Sequence, residues 1–349
     1  MQILNEKIRL AIIGCGGMAD AHQRGFDKLA DRLKVTGTAD VILERAQKMA
    51  EALSAKKAVT DYRELLDDAD AVLIVLPHHL HYEVGMKCLK AGKHVLMEKP
   101  MANSEEECLI LIDTAKKENR VLMTAYPMRY HPLVVRTKEL IDKKVYGDIF
   151  HMSIWTEQHT QYHPGHWALS AKTLGGGQLF SHGCHYIDLL LWFLGRPVKG
   201  IHLGTNYGTP WMEMEGTSNV AIEFESGPIG YHFGTWGAKG TRLGYSIHAH
   251  CTEGMIEAHI TEGKLYAHSK GKVELLYECE HGKHTQNEMS HFLDCIQKGA
   301  YPLTDGPGSL QGLRVIWRMY EAERKNVVAD LRGLGLDEPW EQPGLYRLP

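Results

Sequence analysis

Five short apolar runs in the first 125 residues each stop at a turn residue and give way to a helix-patterned stretch. They are Ile8–Ile13, Lys34–Ala39, Asp70–Leu76, His94–Glu98 and Val121–Ala125. A strand buried on both faces reads as a continuous apolar run, and strands alternating with helices pair in parallel through right-handed crossovers. Helices are predicted over Met18–Arg32, Val41–Leu53 and Tyr82–Ala91. A fourth opens at the capping box Ser104-Glu105-Glu106-Glu107 and runs to Asn119. A parallel sheet wrapped by helices is the only arrangement that suits this rhythm.

After about residue 127 the rhythm changes. A helix over Leu133–Lys143, a strand over Asp148–Thr156, a glycine-rich segment and a helix over Ser181–Leu194 are predicted. From Val198 to Cys279 the chain reads as alternating strands split by glycine turns, such as Ser226-Gly227-Pro228 between Ser218–Glu225 and Ile229–Trp236. Helices over Thr285–Gln297 and Leu310–Lys325 follow, and Leu334–Pro349 reads as an irregular tail. The expected fold class is α/β. An N-terminal Rossmann dinucleotide-binding domain spans 1–127, and a C-terminal α/β domain with a large, mainly antiparallel open sheet spans 128–349. Helices can cover only one face of that sheet, so an uncovered face with Val220, Ile222 and Phe224 is expected to meet a partner in a homodimer or homotetramer.

Lys and Arg number 39 against 43 Asp and Glu, a net charge of −4, and no long basic run is present. That balance excludes a nucleic-acid binder. Apolar stretches such as Leu189–Leu194 are too short to span a bilayer, and residues 1–7 lack the order of a signal peptide. Seven scattered cysteines without C-x-x-C spacing argue against a disulfide framework or a cysteine zinc site. A soluble, cytoplasmic enzyme is the expectation.

Gly14-Cys15-Gly16-Gly17-Met18-Ala19 is G-x-G-x-x-A between the first strand and helix. The first glycine permits the tight turn, the second lets a pyrophosphate approach the backbone, and the small third residue lets the helix pack on the sheet. Asp40 ends the second strand 21 residues after Ala19, where a carboxylate accepts from an adenosine ribose. It would also repel a 2′-phosphate, so NAD is expected rather than NADP. Ligands lie at the carboxyl ends of strands in open α/β sheets. Two such ends carry polar chemistry here, Pro77-His78-His79-Leu80-His81 and Glu98-Lys99-Pro100. Singly, Lys99 reads as a surface lysine and His78 or His81 as a helix-start residue.

These landmarks resemble the glucose–fructose oxidoreductase/inositol dehydrogenase family (Gfo/Idh/MocA). The resemblance rests on the glycine loop, Pro77-x-x-x-His81, Ala91-Gly92-Lys93-His94-Val95-Leu96, Glu98-Lys99-Pro100 and Arg129-x-x-Pro132. Gly175-Gly176-Gly177 followed by Gly183-x-His185-x-x-Asp188 is its most specific part. The resemblance implies hydride exchange between a nicotinamide and a ring hydroxyl of a sugar, glycoside or cyclitol. It implies proton handling by Lys99 and His185. The implied cofactor contacts are Gly14, Gly16, Gly17, Met18, Ala19, Asp40, Pro77, His78, His81, Glu98, Lys99 and Arg129. The expected substrate contacts are Lys99, His159, His163, Trp167, Ser181, His182, His185 and Asp188.

The chemistry has its own logic. Oxidising an alcohol needs a base for the hydroxyl proton. Burial beside a cationic ring would lower a lysine toward that role, and histidine titrates near neutrality already. On a helix, Ser181, His185 and Asp188 share one face. Ser181 stands where the family usually has aspartate, so Asp188, Ser181 or His182 is left to orient His185. Pro127 and His78 stand where asparagine is usual, which points to a different substrate. His159, His163, His166, His182 and His185 could hold a metal, but Pro164-Gly165 breaks their spacing, so polar substrate contacts without a metal are expected. Leu179-Phe180-Ser181-His182-Gly183 lacks the G-x-S-x-G elbow of a hydrolase. Trp155, Trp167 and Trp192 read as core, with Trp167 placed to stack on a pyranose. The leading reading is an NAD-dependent dehydrogenase. The alternative is an NAD-dependent glycosidase working by transient oxidation, elimination and re-reduction, with His159, His163 and His182 as extra acid/base groups. A sugar sensor without catalysis is disfavoured by the presence of both Lys99 and His185.

Overall fold

A computed structural model describes residues 6–334. The chain divides into two compact units, residues up to 130 with 283–309, and residues 131–282 with 310 onward. The segment 283–309 thus packs with the first unit.

In the first unit, β1 (Ile8–Ile13), β2 (Leu33–Ala39), β3 (Lys57–Val59), β4 (Ala71–Ile74), β5 (His94–Glu98) and β6 (Leu122–Ala125) form one sheet in the order β3-β2-β1-β4-β5-β6. Every pair is parallel. The order reverses between β1 and β4, which makes the ends of these two strands the switch point where such sheets bind ligands. All four residues of β4, and Leu10, Ala11 and Ile12 of β1, are fully buried, as their unbroken apolar runs require. β3 has only three residues at the sheet edge and no apolar run, so it escapes a sequence reading.

Helices α1 (Gly17–Gln23), α2 (Leu43–Ala52), α3 (His81–Lys90) and α4 (Glu105–Lys117) connect these strands. The helix expected to reach Arg32 stops at Gln23 and resumes as a single 3₁₀ turn, Asp27–Leu29. Gly25 breaks it. A Cβ there would lie 2.4 Å from Cβ of Gln286, so the close approach demands a residue of poor helix propensity. The capping box forms with one shift. Ser104 Oγ accepts from Glu107 N–H at 3.2 Å, whereas Glu107 Oε2 accepts from Asn103 N–H, one residue before the cap.

The second unit begins with α5 (Pro132–Asp142) and β7 (Ile149–Glu157), then the short α6 (Ala171–Leu174) and α7 (Cys184–Leu194). Strands β8 (Pro197–Thr205), β9 (Thr217–Phe224), β10 (Ile229–Thr235), β11 (Tyr245–Cys251), β12 (Gly254–His259), β13 (Lys264–Ser269) and β14 (Lys272–Glu278) follow. After α8 (Thr285–Lys298) of the first unit, α9 (Gly306–Arg324) and β15 (Ala329–Asp330) complete the chain that is described. The nine strands lie in the order β14-β13-β12-β11-β7-β10-β9-β8-β15, and only the β7–β10 pair is parallel. Of the tail Leu334–Pro349, only Leu334 falls within the described residues.

The alternation along β9 decides which face is open. Val220, Ile222 and Phe224 are each 1% exposed, on the face covered by α5 and α7. This corrects the expectation that they line the uncovered face. A period of two puts Asn219, Ala221 and Glu223 there instead. Ile201 and Leu203 of β8, Ile229 of β10, and Val273 and Leu275 of β14 are exposed apolar residues of this second set. Among the described residues, no helix is long and apolar enough to cross a membrane.

Candidate active site

The loop after β1 needs glycine for a measurable reason. Gly14 has φ +94°, and a Cβ there would lie 2.0 Å from the Val75 carbonyl oxygen. At Gly16 and Gly17 a Cβ would meet nothing within 4 Å, so the loop faces open space on the side where a pyrophosphate would approach. Ala19 is buried under the sheet. Asp40 closes the loop from β2, its Oδ2 accepting from Cys15 N–H and its Oδ1 from Ile42 N–H, both at 2.9 Å. Each oxygen keeps a lone pair for a ribose hydroxyl. The neighbouring Val41 is 88% exposed and uncharged, so it offers nothing to a 2′-phosphate. Burial and the nearby Asp40 push the Cys15 thiol up to about 12, which leaves it inert. These residues fit a dinucleotide.

The ends of β4 and β5 are tied together by His81. Its Nδ1 lies 2.7 Å from the Pro100 carbonyl oxygen and its Nε2 2.9 Å from that of Leu76. Burial outweighs both carbonyls and lowers its pKa. As a neutral imidazole His81 has one N–H to donate to either carbonyl, and its ring sits between the two cofactor-edge turns. His78 is buried against its ring, 5.7 Å between centroids.

Beneath the second turn, Glu98 Oε1 lies 2.8 Å from His22 Nε2, both groups buried, and Glu98 Oε2 accepts from Lys99 N–H. Burial pushes the Glu98 carboxyl up, but the His22 hydrogen bond and the charges of His22 and Lys99 outweigh it and leave it at about 2. Glu98 is therefore a fixed anion under the Lys99 backbone. Glu288 of α8 is fully buried, and burial together with the charge of Glu98 holds its carboxyl well above the usual range. Lys99 itself is half-buried at the end of β5. Arg129 is buried, its Nη1 donating to the Leu303 carbonyl at 3.2 Å, so its guanidinium is turned into the first unit.

In the second unit the glycine run ends in a helix with a wide first turn. Leu179–Gly183 is π-helical and continues as α7. Such π turns recur at functional sites because they re-aim side chains. Ser181, His185 and Asp188 are all buried along it, and His182 is half-buried. His182 and His185 pack edge to face, 5.9 Å between centroids, and Tyr186 lies against both. Tyr245 packs on His182 and donates its hydroxyl to Gln158, and burial pushes that phenol up to about 12. His232 stacks under Tyr186 at 5.1 Å, and burial pushes its imidazole down to about 3, so it stays neutral.

The other expected substrate contacts lie further out on the same unit. His159 is exposed and meets the Trp211 ring edge to face at 6.0 Å. His163 is also exposed, while His166 stacks on Tyr162 at 4.3 Å. Trp167 packs half-buried on a small core of Ala168, Leu174, Met212 and Trp236. Among the described residues, no three of His159, His163, His166, His182 and His185 bring ring nitrogens within 4.8 Å of one another.

Sequence reasoning missed His22, Glu288, Tyr186, His232 and Tyr245. Each meets a partner far along the chain, as His22 meets Glu98 76 positions on and Tyr186 meets His232. No local spacing signals them.

A family model described as "Oxidoreductase family, NAD-binding Rossmann fold" matches residues 8–126, and one for the GFO/IDH/MocA C-terminal domain matches residues 134–257. The levoglucosan dehydrogenase of Pseudarthrobacter phenanthrenivorans is 26% identical over 287 residues, covering 72% of this chain and 73% of that protein. The D-glucoside 3-dehydrogenase of Escherichia coli is 30% identical over 199 residues, about half of each protein at 56%. A solved levoglucosan dehydrogenase in complex with NADH and levoglucosan superimposes with a TM-score of 0.86 at 21% identity, covering 94% of this chain and all of that one. The aldose-aldose oxidoreductase from Caulobacter crescentus gives 0.83 at 23% identity, covering 93% of this chain and all of that one. At these identities the solved structures speak for the fold alone.

Proposed function

The chain belongs to the GFO/IDH/MocA oxidoreductase family, and on that premise we propose that it oxidises a secondary ring hydroxyl of a sugar, glycoside or cyclitol with NAD. The observation that carries this reading is the glycine loop at the switch point of the six-stranded sheet, closed by Asp40. The names of the relatives supply the substrate class, a cyclic polyol.

When bound, NAD supplies the hydride acceptor. The backbone of Gly14–Ala19 receives the pyrophosphate, and Asp40 accepts from the adenosine ribose diol. Asp40 and the uncharged Val41-Ile42 favour NAD over NADP. Lys99 and His185 handle the hydroxyl proton. Lys99 is backed by the anion Glu98, and His185 is framed by His182 and Tyr186, which keep bulk water from the imidazole face. Ser181, His182 and Asp188 accompany His185 on the substrate side, with Trp167, His159 and His163 towards the rim of that unit. We further infer that copies associate through the open face of the nine-stranded sheet, where Ile201, Leu203, Ile229, Val273 and Leu275 are exposed.

The test is a panel of sugars, glycosides and cyclitols incubated with NAD, following NADH and assigning the oxidised carbon by NMR. Oxidation of at least one cyclic polyol at a ring carbon is expected. No oxidation of any member would overturn the reading.

A further inference from the structure

The helix that carries Ser181, His182 and His185 is capped by side chains from elsewhere in its unit. The first four N–H groups of a helix have no partner within it. Here Gly177 and Phe180 donate to the Tyr320 hydroxyl oxygen at 3.1 and 3.2 Å. Gln178 N–H donates to the Glu215 carbonyl at 2.7 Å, and Leu179 N–H to Glu215 Oε1 at 3.2 Å. Tyr320 in turn donates its hydroxyl proton to Glu215 Oε1 at 2.5 Å. Two residues, one just before β9 and one on α9, therefore satisfy four successive amides. An ordinary cap is a local Ser, Thr, Asp or Asn, and none stands here.

The seat is also shaped for this carboxylate. A Cβ on Gly177 would lie 2.1 Å from Glu215 Oε2, so the last glycine of the Gly175–Gly177 run is the space that the carboxylate fills. Gly204 is close in the same way, its Cβ position 2.8 Å from Glu215 Cγ. The titratable and charged groups around the pair are Glu323 of α9 and His202 of β8. His202 packs edge to face on Tyr320, and its Nδ1 lies 2.8 Å from Glu323 Oε2.

We propose that Glu215, with Tyr320, is a positioning residue for the polyol oxidation: its ionised carboxylate, seated on Gly177, fixes the first turn of the helix that presents His182 and His185. The inference rests on the dehydrogenase reading for its kinetic part. Burial raises the Glu215 carboxyl to about 7, against the opposing hydrogen bonds from Tyr320 and Leu179 N–H. Protonation turns an acceptor-only carboxylate into a donor that competes with the Tyr320 hydroxyl, so the hydrogen-bond arrangement of the first turn changes as the pH falls through neutrality.

The test compares the full wild-type chain with Glu215→Gln and Tyr320→Phe. Hydrogen–deuterium exchange over residues 177–182 needs no substrate and should quicken roughly 10-fold in both variants, by loss of about one hydrogen bond's worth of local stability. NAD affinity should stay at the wild-type value. With whichever of levoglucosan, methyl β-D-glucoside or myo-inositol turns over, kcat should fall roughly 10–10²-fold with little change in KM, the scale of an ångström-level misplacement. Glu215→Gln should also remove one ionisation from the acid limb of the kcat profile, lowering its slope, which a merely structural contact would not do. Wild-type exchange over 177–182, or wild-type kcat with an unchanged acid limb, would overturn the proposal. If the wild type turns over none of the three while exchange still quickens, the functional reading falls and the cap stands.

Discussion

Lys99 and His185 occupy different kinds of ground. Lys99 ends a buried strand on top of an ionised Glu98, whereas His185 lies within a helix among aromatic rings. Lys99 is half-buried, so replacing it should disturb chemistry before stability, whereas His185 is buried among rings and its truncation should also cost some stability. We expect Lys99→Ala and His185→Ala each to lower kcat by about 10²–10⁴-fold, the range for a lost general acid or base, with NAD still bound. Steady-state kinetics beside a calorimetric NAD titration checks this, and the double variant should lose less than the product of the two. Near-wild-type turnover in both single variants would move the chemistry elsewhere. Asp40 carries a separate prediction. Asp40→Ser removes the charge that repels a 2′-phosphate, so the ratio of NADP to NAD dissociation constants should narrow by roughly 10-fold, about 1.4 kcal/mol. An unchanged ratio would assign the preference to other residues.

At the scale of elements, the parallel sheet was readable because strands buried on both faces leave unbroken apolar runs. The glycine loop, the Glu98-Lys99-Pro100 turn and the Gly175–Gly177 run were readable because they are contiguous. What supports them was not. The Tyr320–Glu215 bond spans 105 residues, and the early stop of α1 depends on Gln286 approaching Gly25. β9 shows the limit in another form: period two fixes which residues share a face, but which face is covered depends on α5 and α7. Since Ile222 is on the covered face, Ile222→Ala should cost about 2–4 kcal/mol in denaturant unfolding, where a solvent-facing site would cost under about 0.5. The cap of the α7 helix has a pH signature. Burial pushes the Glu215 carboxyl of the folded chain up to about 7 from an ordinary 4.5. Between those values the folded state holds a proton that the unfolded state releases, so this group favours folding at low pH and its contribution is lost as pH rises through about 7. Thermal melts from pH 5 to 8 should therefore fall less steeply with pH in Glu215→Gln than in wild type. Parallel curves would show that the carboxyl does not titrate there.

For the whole molecule, the open face of the nine-stranded sheet presents Leu203 and Val273 at 64% exposure each. The proposed association of copies through this face carries its own prediction. Light scattering at micromolar concentration should give a dimer or tetramer, and Leu203→Glu with Val273→Glu should shift it toward monomer. A monomeric wild type would refute this. The family was legible in the motifs. The return of 283–309 to the first unit was not, because α8 follows the strands of the second unit in the chain with no change of pattern. The account as a whole turns on net hydride transfer from a ring carbon. Its most direct measurement is the number of NADH molecules formed per molecule of oxidised product, using a glycoside substrate and NMR for both sugar and aglycone. One NADH per keto product, with the aglycone still attached, is the predicted result. Aglycone release without NADH would contradict it and identify a glycosidase that returns the hydride.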